Sequence, residues 1–414
     1  MKRVLILAEQ YYPLQVPSTF RVHSFAKFLP EFGYDCHVIS PSWHADNLAD
    51  VSHGRQVFAG SESQSPCPLT LVPVHPVFTA GRLECYFWPC REGSRIADEM
   101  VLAAKELWNK NSFDAIIATI PAYYPLRAAN ALAKEFSVPV VADFRDIYAE
   151  HDGPAQRTWH EKVMRRMKIL LGKHWLVWRE LESLCRNTIT TTVSAPLALA
   201  LERHGIKGTE VIFNGFDPED FEQVAKTRQE KFRITYAGTV HGFQDPSRFF
   251  DAIDILLEKE LIELSDFEVA FYSGAGALDS HLANRRCRQV VQQHAMVSKK
   301  LISSVMVNSS ILLHLSVETL TGGIMTSKIT EYLGAGSPIL SVTGDNDVVD
   351  KFLATTKSGV SLESTDSIVG FILKNYQLWQ ATGETEYDVD PLAVEQYTRR
   401  FQCRKMAKIL DANS

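Results

Sequence analysis

What the 414-residue chain lacks narrows its class before any motif is considered. No uncharged apolar run reaches the roughly 18 residues that a bilayer-spanning helix needs, so no membrane crossing is expected. Val4 to Ala8 is too short for the apolar segment of a signal peptide and runs into Glu9. A cytoplasmic location is expected, at most with attachment to the inner face of the membrane. Positive charge is not in excess: 43 Lys and Arg against 49 Asp and Glu leave a net charge of −6, which argues against general nucleic-acid binding. The seven cysteines (Cys36, Cys67, Cys85, Cys90, Cys185, Cys287 and Cys403) are odd in number and fall into no framework, as reduced thiols do. Cys85 and Cys90, with Cys67 and His75 nearby, match no strong zinc spacing, and no metal site is expected. No internal repeat of about 20–50 residues is present.

What is there is an alternation of strands and helices. Apolar residues make up 45% and charged residues 22%, a globular composition in a chain long enough for two domains. Arg3 to Ala8, Cys36 to Ser40, Ala115 to Ala118, Val138 to Ala142, Thr188 to Val193 and Val211 to Phe213 read as strands. Helices are expected over Ser18 to Phe32, Glu92 to Lys110 and Pro125 to Phe136. Ser42 to Pro68 is polar and without period, so it reads as a long loop. A polar stretch from Asp217 to Glu230 precedes a second round of the same pattern, placing a domain over 1–217, another over 218–392, and a terminal helix over 393–414.

Sheets of this kind bind ligands beyond the carboxyl ends of their strands. Two strands of the second round end in glycine-bearing loops: Phe232 to Ala237 leads into Gly238-Thr239-Val240-His241-Gly242, and Phe267 to Tyr272 into Ser273-Gly274-Ala275-Gly276. The glycines lack the dinucleotide-binding spacing. In the first half, Asp143, Arg145 and Asp146 follow a buried-type strand, where charge is costly unless paired or used. They form either a mutual ion-pair network or part of a site.

The most informative stretch is Leu312 to Leu340, which reads as strand, polar loop with Gly322 and Gly323, short helix from Lys328, and strand. Gly334 and Gly336 are expected to end that helix. A helix opening after such a loop aims backbone N–H groups and a positive dipole end at an anion. Lys328 adds a full charge there. Glu331 shares its helix face, where the pair is either an ordinary i, i+3 ion pair or a ligand contact.

The segment SKITEYLGAGSPIL resembles the donor-site helix of GT-B glycosyltransferases, in particular the large retaining family numbered four. VPVVADFRDIY, VIFNGFD and YAGTVHGFQDPSRFFDAI are similar to other parts of the same family. The resemblance implies two Rossmann-like domains facing a cleft, with the terminal helix crossing back to the first. It implies transfer of a sugar from a nucleoside diphosphate sugar, UDP- or GDP-linked, to a glycan or lipid-linked acceptor, with retention and no cofactor. Gly238, Thr239, His241, Gly274, Gly276, Gly323, Ser327, Lys328 and Glu331 would hold the donor, and Asp143, Arg145 and Asp146 would line the reacting centre. The family's pattern has a further Glu eight residues before Glu331, where this chain has Gly323. Two alternatives stand beside transfer: a nucleotide-sugar 2-epimerase of the same fold, and a noncatalytic nucleotide-sugar or glycan-binding protein. The basic stretch 157–186, with Trp175 and Trp178, is either a domain helix or a contact with an anionic membrane surface.

Overall fold

The computed structural model describes residues 1–14, 17–42, 65–73, 93–147, 173–240, 244–274, 276–316 and 325–413. They form two units: one holds the described residues up to Phe213 together with those from Arg399 onward, the other those from Asn214 to Thr398.

The first unit is built on a parallel sheet of β1 (Lys2–Leu7), β2 (Tyr34–Pro41), β3 (Leu69–Val72), β4 (Ala115–Ile120), β5 (Val140–Phe144), β6 (Ile189–Thr192) and β7 (Glu210–Val211), in the order β3-β2-β1-β4-β5-β6-β7. β1 and β4 are buried runs such as KRVLIL and AIIATI, as expected of strands covered on both faces. α1 (Pro17–Phe28), α2 (Ser94–Trp108), α3 (Tyr124–Phe136), α4 (Lys173–Cys185) and α5 (Ala195–Arg203) belong to this unit. One layer of core gathers Leu5, Met100, Ile116, Leu132 and Trp178; the other gathers Val4, Ile6, Phe25, Val38 and Ile117. Residues alternate between them because successive side chains of a strand face opposite ways. β3 is an addition to the expected strands. It joins the edge of the sheet through Val38↔Leu69 to Pro41↔Val72.

The second unit has a parallel sheet of β8 (Phe232–Ala237), β9 (Phe267–Tyr272), β10 (Val291–His294), β11 (Ile311–Leu315), β12 (Ile339–Val342) and β13 (Gly359–Leu362), in the order β10-β9-β8-β11-β12-β13. Its larger helices are α6 (Ser247–Glu258), α7 (Lys299–Val307), α8 (Ser327–Ala335), α9 (Val348–Thr356) and α10 (Thr365–Thr382). β10 and β13 are also additions, and β13 opens on Gly359 because a Cβ there would run into the Ile339 carbonyl of β12. Gly334 does not end α8, contrary to expectation. It lies inside the helix because Phe216 and Phe221 press on it, Phe221 within 2.7 Å of where a Cβ would be. Gly336, at φ +75°, makes the left-handed stop.

The last helix, α11 (Arg399–Asp411), packs with the first unit. Gln402 accepts from the Phe213 backbone N–H at 2.9 Å, Cys403 Sγ donates to the Ser24 carbonyl at 3.2 Å, and Asp411 accepts from the Tyr34 hydroxyl at 2.7 Å.

In both sheets the strand order reverses next to the first strand of the unit, between β1 and β4 and between β8 and β11. Such switch points open a crevice at the carboxyl ends of the strands. Near the first of them lies a buried ion pair. Arg21 of α1 grips Asp143 at the end of β5 with two bonds of 2.7 Å, Nε to Oδ2 and Nη2 to Oδ1. Thr191 of β6 adds a 2.7 Å bond to Oδ1, and Arg21 Nη1 donates to the Phe213 carbonyl at 3.2 Å. Arg21 is 3% exposed and Asp143 not at all. Removing one partner of such a pair leaves a buried charge and typically costs about 3–5 kcal/mol. Asp143→Ala is therefore expected to lower unfolding stability in urea by about that much, and a change well under 1 kcal/mol would show that the pair does not hold the unit together.

Candidate functional site

Of the residues expected at the site, His241 and Gly323 lie outside the described residues. The rest fall in two groups, one in each unit.

In the first unit, Asp143 pairs with Arg21 and Thr191, not with the neighbouring Arg145. Of the two readings left open for 143, 145 and 146, a mutual network does not describe Asp143, whose cation is contributed by α1. Arg145 instead approaches Glu9, just beyond β1, with Nη2 to Oε2 at 3.7 Å. Asp146 Oδ1 accepts from the backbone N–H of Ile147 at 2.8 Å. Arg145 and Asp146 are partly exposed, whereas Asp143 is sealed in.

In the second unit Gly238 and Lys328 meet at the β8/β11 switch point, whereas Gly274 and Gly276 follow β9 and Glu331 pairs with Lys299 of α7. Gly238 follows β8 directly and takes φ +112°, with its N–H bonded to the Tyr272 carbonyl at 3.0 Å. The absent side chain matters here, because Cε of Lys328 lies 3.1 Å from the place a Cβ would occupy. α8 thus brings its second residue against the turn after β8. The helix begins at Ser327, and Thr330 Oγ1 donates to the Ser327 carbonyl at 2.8 Å. The Lys328 ammonium lies 3.8 Å from the centroid of the Tyr236 ring, a cation–π contact. Tyr236 is itself fixed by bonds from its hydroxyl to the Thr239 carbonyl at 2.9 Å and to Gln244 at 3.2 Å. Gln244 in turn donates to the Leu315 carbonyl at 2.8 Å, and Ala237 N–H donates to the Tyr332 hydroxyl at 2.8 Å. Tyr236, Gln244 and Tyr332 tie β8, β11 and α8 together around the lysine.

Lys328 and Glu331 do not form the simple i, i+3 pair. Glu331 is drawn to Lys299 of α7, Oε1 to Nζ at 2.7 Å. Burial pushes the Lys328 ammonium down to about 7, with the nearby Glu331 charge offsetting only part of the shift. His314 of β11, bonded through Nδ1 to Ser341 at 3.0 Å, is held down to about 3 by burial and by the Lys328 charge, so it is neutral. Gly274 and Gly276 follow β9 at φ +104° and +76°, and Gly274 N–H bonds to the His294 carbonyl at 3.1 Å. Ser273 Oγ and Thr326 Oγ1 are buried without a hydrogen-bond partner among the described residues. The arrangement offers an amine, a helix N-terminus and unsatisfied hydroxyls on one edge of the sheet, which is chemistry suited to an anion.

Tyr236, His314 and Lys299 are among the participants that the sequence did not reveal. The first two sit within apolar strand runs and look like core. Lys299 stands in a Lys-Lys pair that reads as a solvated helix start.

No protein-family model matches the sequence, and no curated protein matches it. Solved structures do. HepE from Anabaena, in complex with UDP and glucose, is 13% identical at a TM-score of 0.63, with all of each chain covered. An α,α-trehalose-phosphate synthase (UDP-forming) from Burkholderia xenovorans, in complex with glucose-6-phosphate, is 11% identical at 0.61, covering 99% of this chain and all of that one. Sucrose-phosphate synthase from Thermosynechococcus elongatus is 11% identical at 0.57, covering 99% and 95%. The fold is GT-B. Among the described residues this GT-B chain has two parallel-sheet α/β units, of seven and six strands. Among the described residues no helix is long and apolar enough to cross a membrane. Of the basic stretch 157–186, residues 173–186 are described: Trp178 is buried against His204, ring centroids 3.7 Å apart, while Trp175 is exposed beneath the Arg179 guanidinium.

The lowered Lys328 has a consequence for stability. Between about pH 7 and the ordinary lysine range near 10.5, the unfolded chain binds a proton that the folded chain has released. Stability contributed by this group therefore rises with pH across that window. Lys328→Met is expected to remove this slope, so wild type should gain on the variant in urea unfolding between pH 7 and 10. Parallel pH profiles would contradict the buried ammonium.

Proposed function

We propose that the protein transfers a sugar from a nucleoside diphosphate sugar to an acceptor hydroxyl, with the second unit binding the donor. The observation that carries this is Lys328: an ammonium at a helix N-terminus, over the switch-point crevice, whose neighbouring carboxylate is engaged by another lysine. In transfer, the bond from the anomeric carbon to the terminal phosphate oxygen breaks, the diphosphate leaves with the electron pair, the acceptor oxygen bonds to the anomeric carbon, and the hydroxyl proton passes to the departing phosphate. Lys328, the α8 N-terminus and the loops at Gly238 and Gly274 would stabilise that developing charge. Glu331 would meet the ribose. UDP accompanies HepE, and this ligand class is the one carried over here. The resemblance to the retaining family numbered four supports retention of configuration. Arg145 and Asp146 would line the reacting centre on the acceptor side. We reassign Asp143 to holding Arg21, since Arg21 and Thr191 occupy its carboxylate. The exposed Trp175 and Arg179 suit an acceptor carried at an anionic lipid surface.

The test is calorimetric titration with UDP, GDP, ADP, CDP and dTDP, on wild type and Lys328→Ala. One diphosphate is expected to bind selectively and to lose about tenfold or more in the variant, as for a lost charge-assisted contact. Binding of none of the five would overturn the donor site. Turnover of the matching nucleotide sugar with product analysis then reads the reaction: a glycosylated acceptor supports transfer, while a sugar epimerised on its nucleotide moves the assignment.

Proton linkage is a separate expectation. A bound diphosphate favours the charged amine, so above about pH 7 binding should draw a proton onto Lys328 and weaken as pH rises. Titrations in buffers of different ionisation enthalpy measure the uptake. It should be close to one proton at about pH 8.5 and absent in Lys328→Ala; equal uptake in both proteins would place the proton elsewhere.

A further inference from the structure

Glu331 and Lys328 sit on the same helix face at a spacing that ordinarily lets them pair. Here that pairing is pre-empted. Lys299, the first residue of α7, holds Glu331 Oε1 at 2.7 Å, and its Nζ also lies 3.6 Å from Oδ2 of Asp220. Asp220 belongs to a short helical turn, Glu219–Glu222, whose Phe221 ring faces the Lys299 ammonium at 5.8 Å from its centroid. The same Phe221 packs against Gly334 of α8, where there is no room for a Cβ. The turn that anchors Lys299 is therefore also the one that seats the back of α8. All three charged groups are largely shielded, with side-chain exposures of 21% for Lys299, 18% for Glu331 and 27% for Asp220. At that depth an ion pair has direction as well as strength, because few waters compete for its atoms.

We infer that Lys299 is a positioning residue for the donor site, acting through Glu331. By holding the carboxylate towards α7 it keeps Glu331 from neutralising Lys328, and it fixes the direction in which the carboxylate can accept hydrogen bonds from the vicinal hydroxyls of a ribose. Lys299 thereby sets the preference for ribonucleoside over deoxyribonucleoside diphosphates without touching either. The inference rests on the donor-site reading above and deepens it.

The experiment uses the full chain and whichever of UDP, GDP, ADP or CDP binds wild type best, together with its 2′-deoxy counterpart. Affinities are measured for wild type, Lys299→Met, Lys299→Arg, Glu331→Gln and the Lys299→Met/Glu331→Gln double variant. Wild type should prefer the ribonucleotide by about tenfold, as expected for a hydroxyl hydrogen-bonded to a charged group. Lys299→Met should bring that ratio close to one, and Lys299→Arg should restore most of it. The double variant should bind no more weakly than the worse single variant, because a residue acting through another adds nothing once the other is gone. An unchanged ribose-to-deoxyribose ratio in Lys299→Met, or additive losses in the double variant, would overturn the inference while leaving the donor site standing. Absence of any diphosphate binding to wild type would remove both. Should Lys299→Met fail to fold, Lys299→Ala reads the same ratio with the contact to Glu331 removed.

Discussion

An ammonium ion that has lost much of its water must be compensated by something, and in the second unit that requirement explains most of what surrounds Lys328. The Tyr236 face supplies a weak electrostatic partner, worth roughly 2 kcal/mol when desolvated. The hydrogen bonds of Tyr236 to the Thr239 carbonyl and Gln244 hold that face in place. Gly238 leaves room for the lysine stem, and His314, kept neutral, adds no second charge. The shortfall shows as an ammonium lowered to about 7. A fold that only needed stability would have let Glu331 close on Lys328. The Glu331–Lys299 pair gives that option up.

The first unit handles charge the opposite way. Asp143 is more deeply buried than Lys328, yet Arg21 and Thr191 satisfy it, in planar bidentate geometry suited to a guanidinium and a carboxylate. Burying two ions costs several kcal/mol apiece, and attraction at short range offsets this only when the remaining lone pairs are also bonded, as the Thr191 hydroxyl provides. A carboxylate so committed has few lone pairs left for a ligand. Arg145 and Asp146, partly exposed just beyond the same strand, are better placed for chemistry. The state of compensation thus separates Asp143, whose charge is met within its own unit, from Lys328, whose closest described partner is a ring face.

The architecture was legible because parallel strands covered on both faces need continuous apolar runs, and RVLILA, FRITYA and ILLHL supply them. The three strands not anticipated are the ones where that signal fails, and Val291–His294, reading VQQH, is mostly polar. Leu69–Val72 is a partly exposed edge of four residues, and Gly359–Leu362 starts on a glycine that ordinarily weakens a strand. The meaning of that glycine lies in the Ile339 carbonyl opposite, which no local pattern reveals. Gly334 misled for the same reason: as a local signal it marks a helix end, whereas the packing of Phe216 and Phe221 requires it mid-helix.

The site was legible to the extent that it is local. The helix start at Ser327, the charge of Lys328 and the glycines after β8 and β9 are set by residues a few positions apart, and the spacing carries them. The partners of Asp143 and Glu331 are not, since Arg21 and Lys299 come from distant segments and only the sheet order brings them near. A charged residue at a strand end or helix start can therefore be recognised as consequential from sequence. Whether it is spent on the fold or kept for a ligand depends on which opposite charge the topology delivers. Here α1 delivers a guanidinium to Asp143, while α7 delivers its ammonium to Glu331 and leaves Lys328, among the described residues, without a carboxylate partner. A ligand carrying phosphate charge is the simplest way to complete that balance.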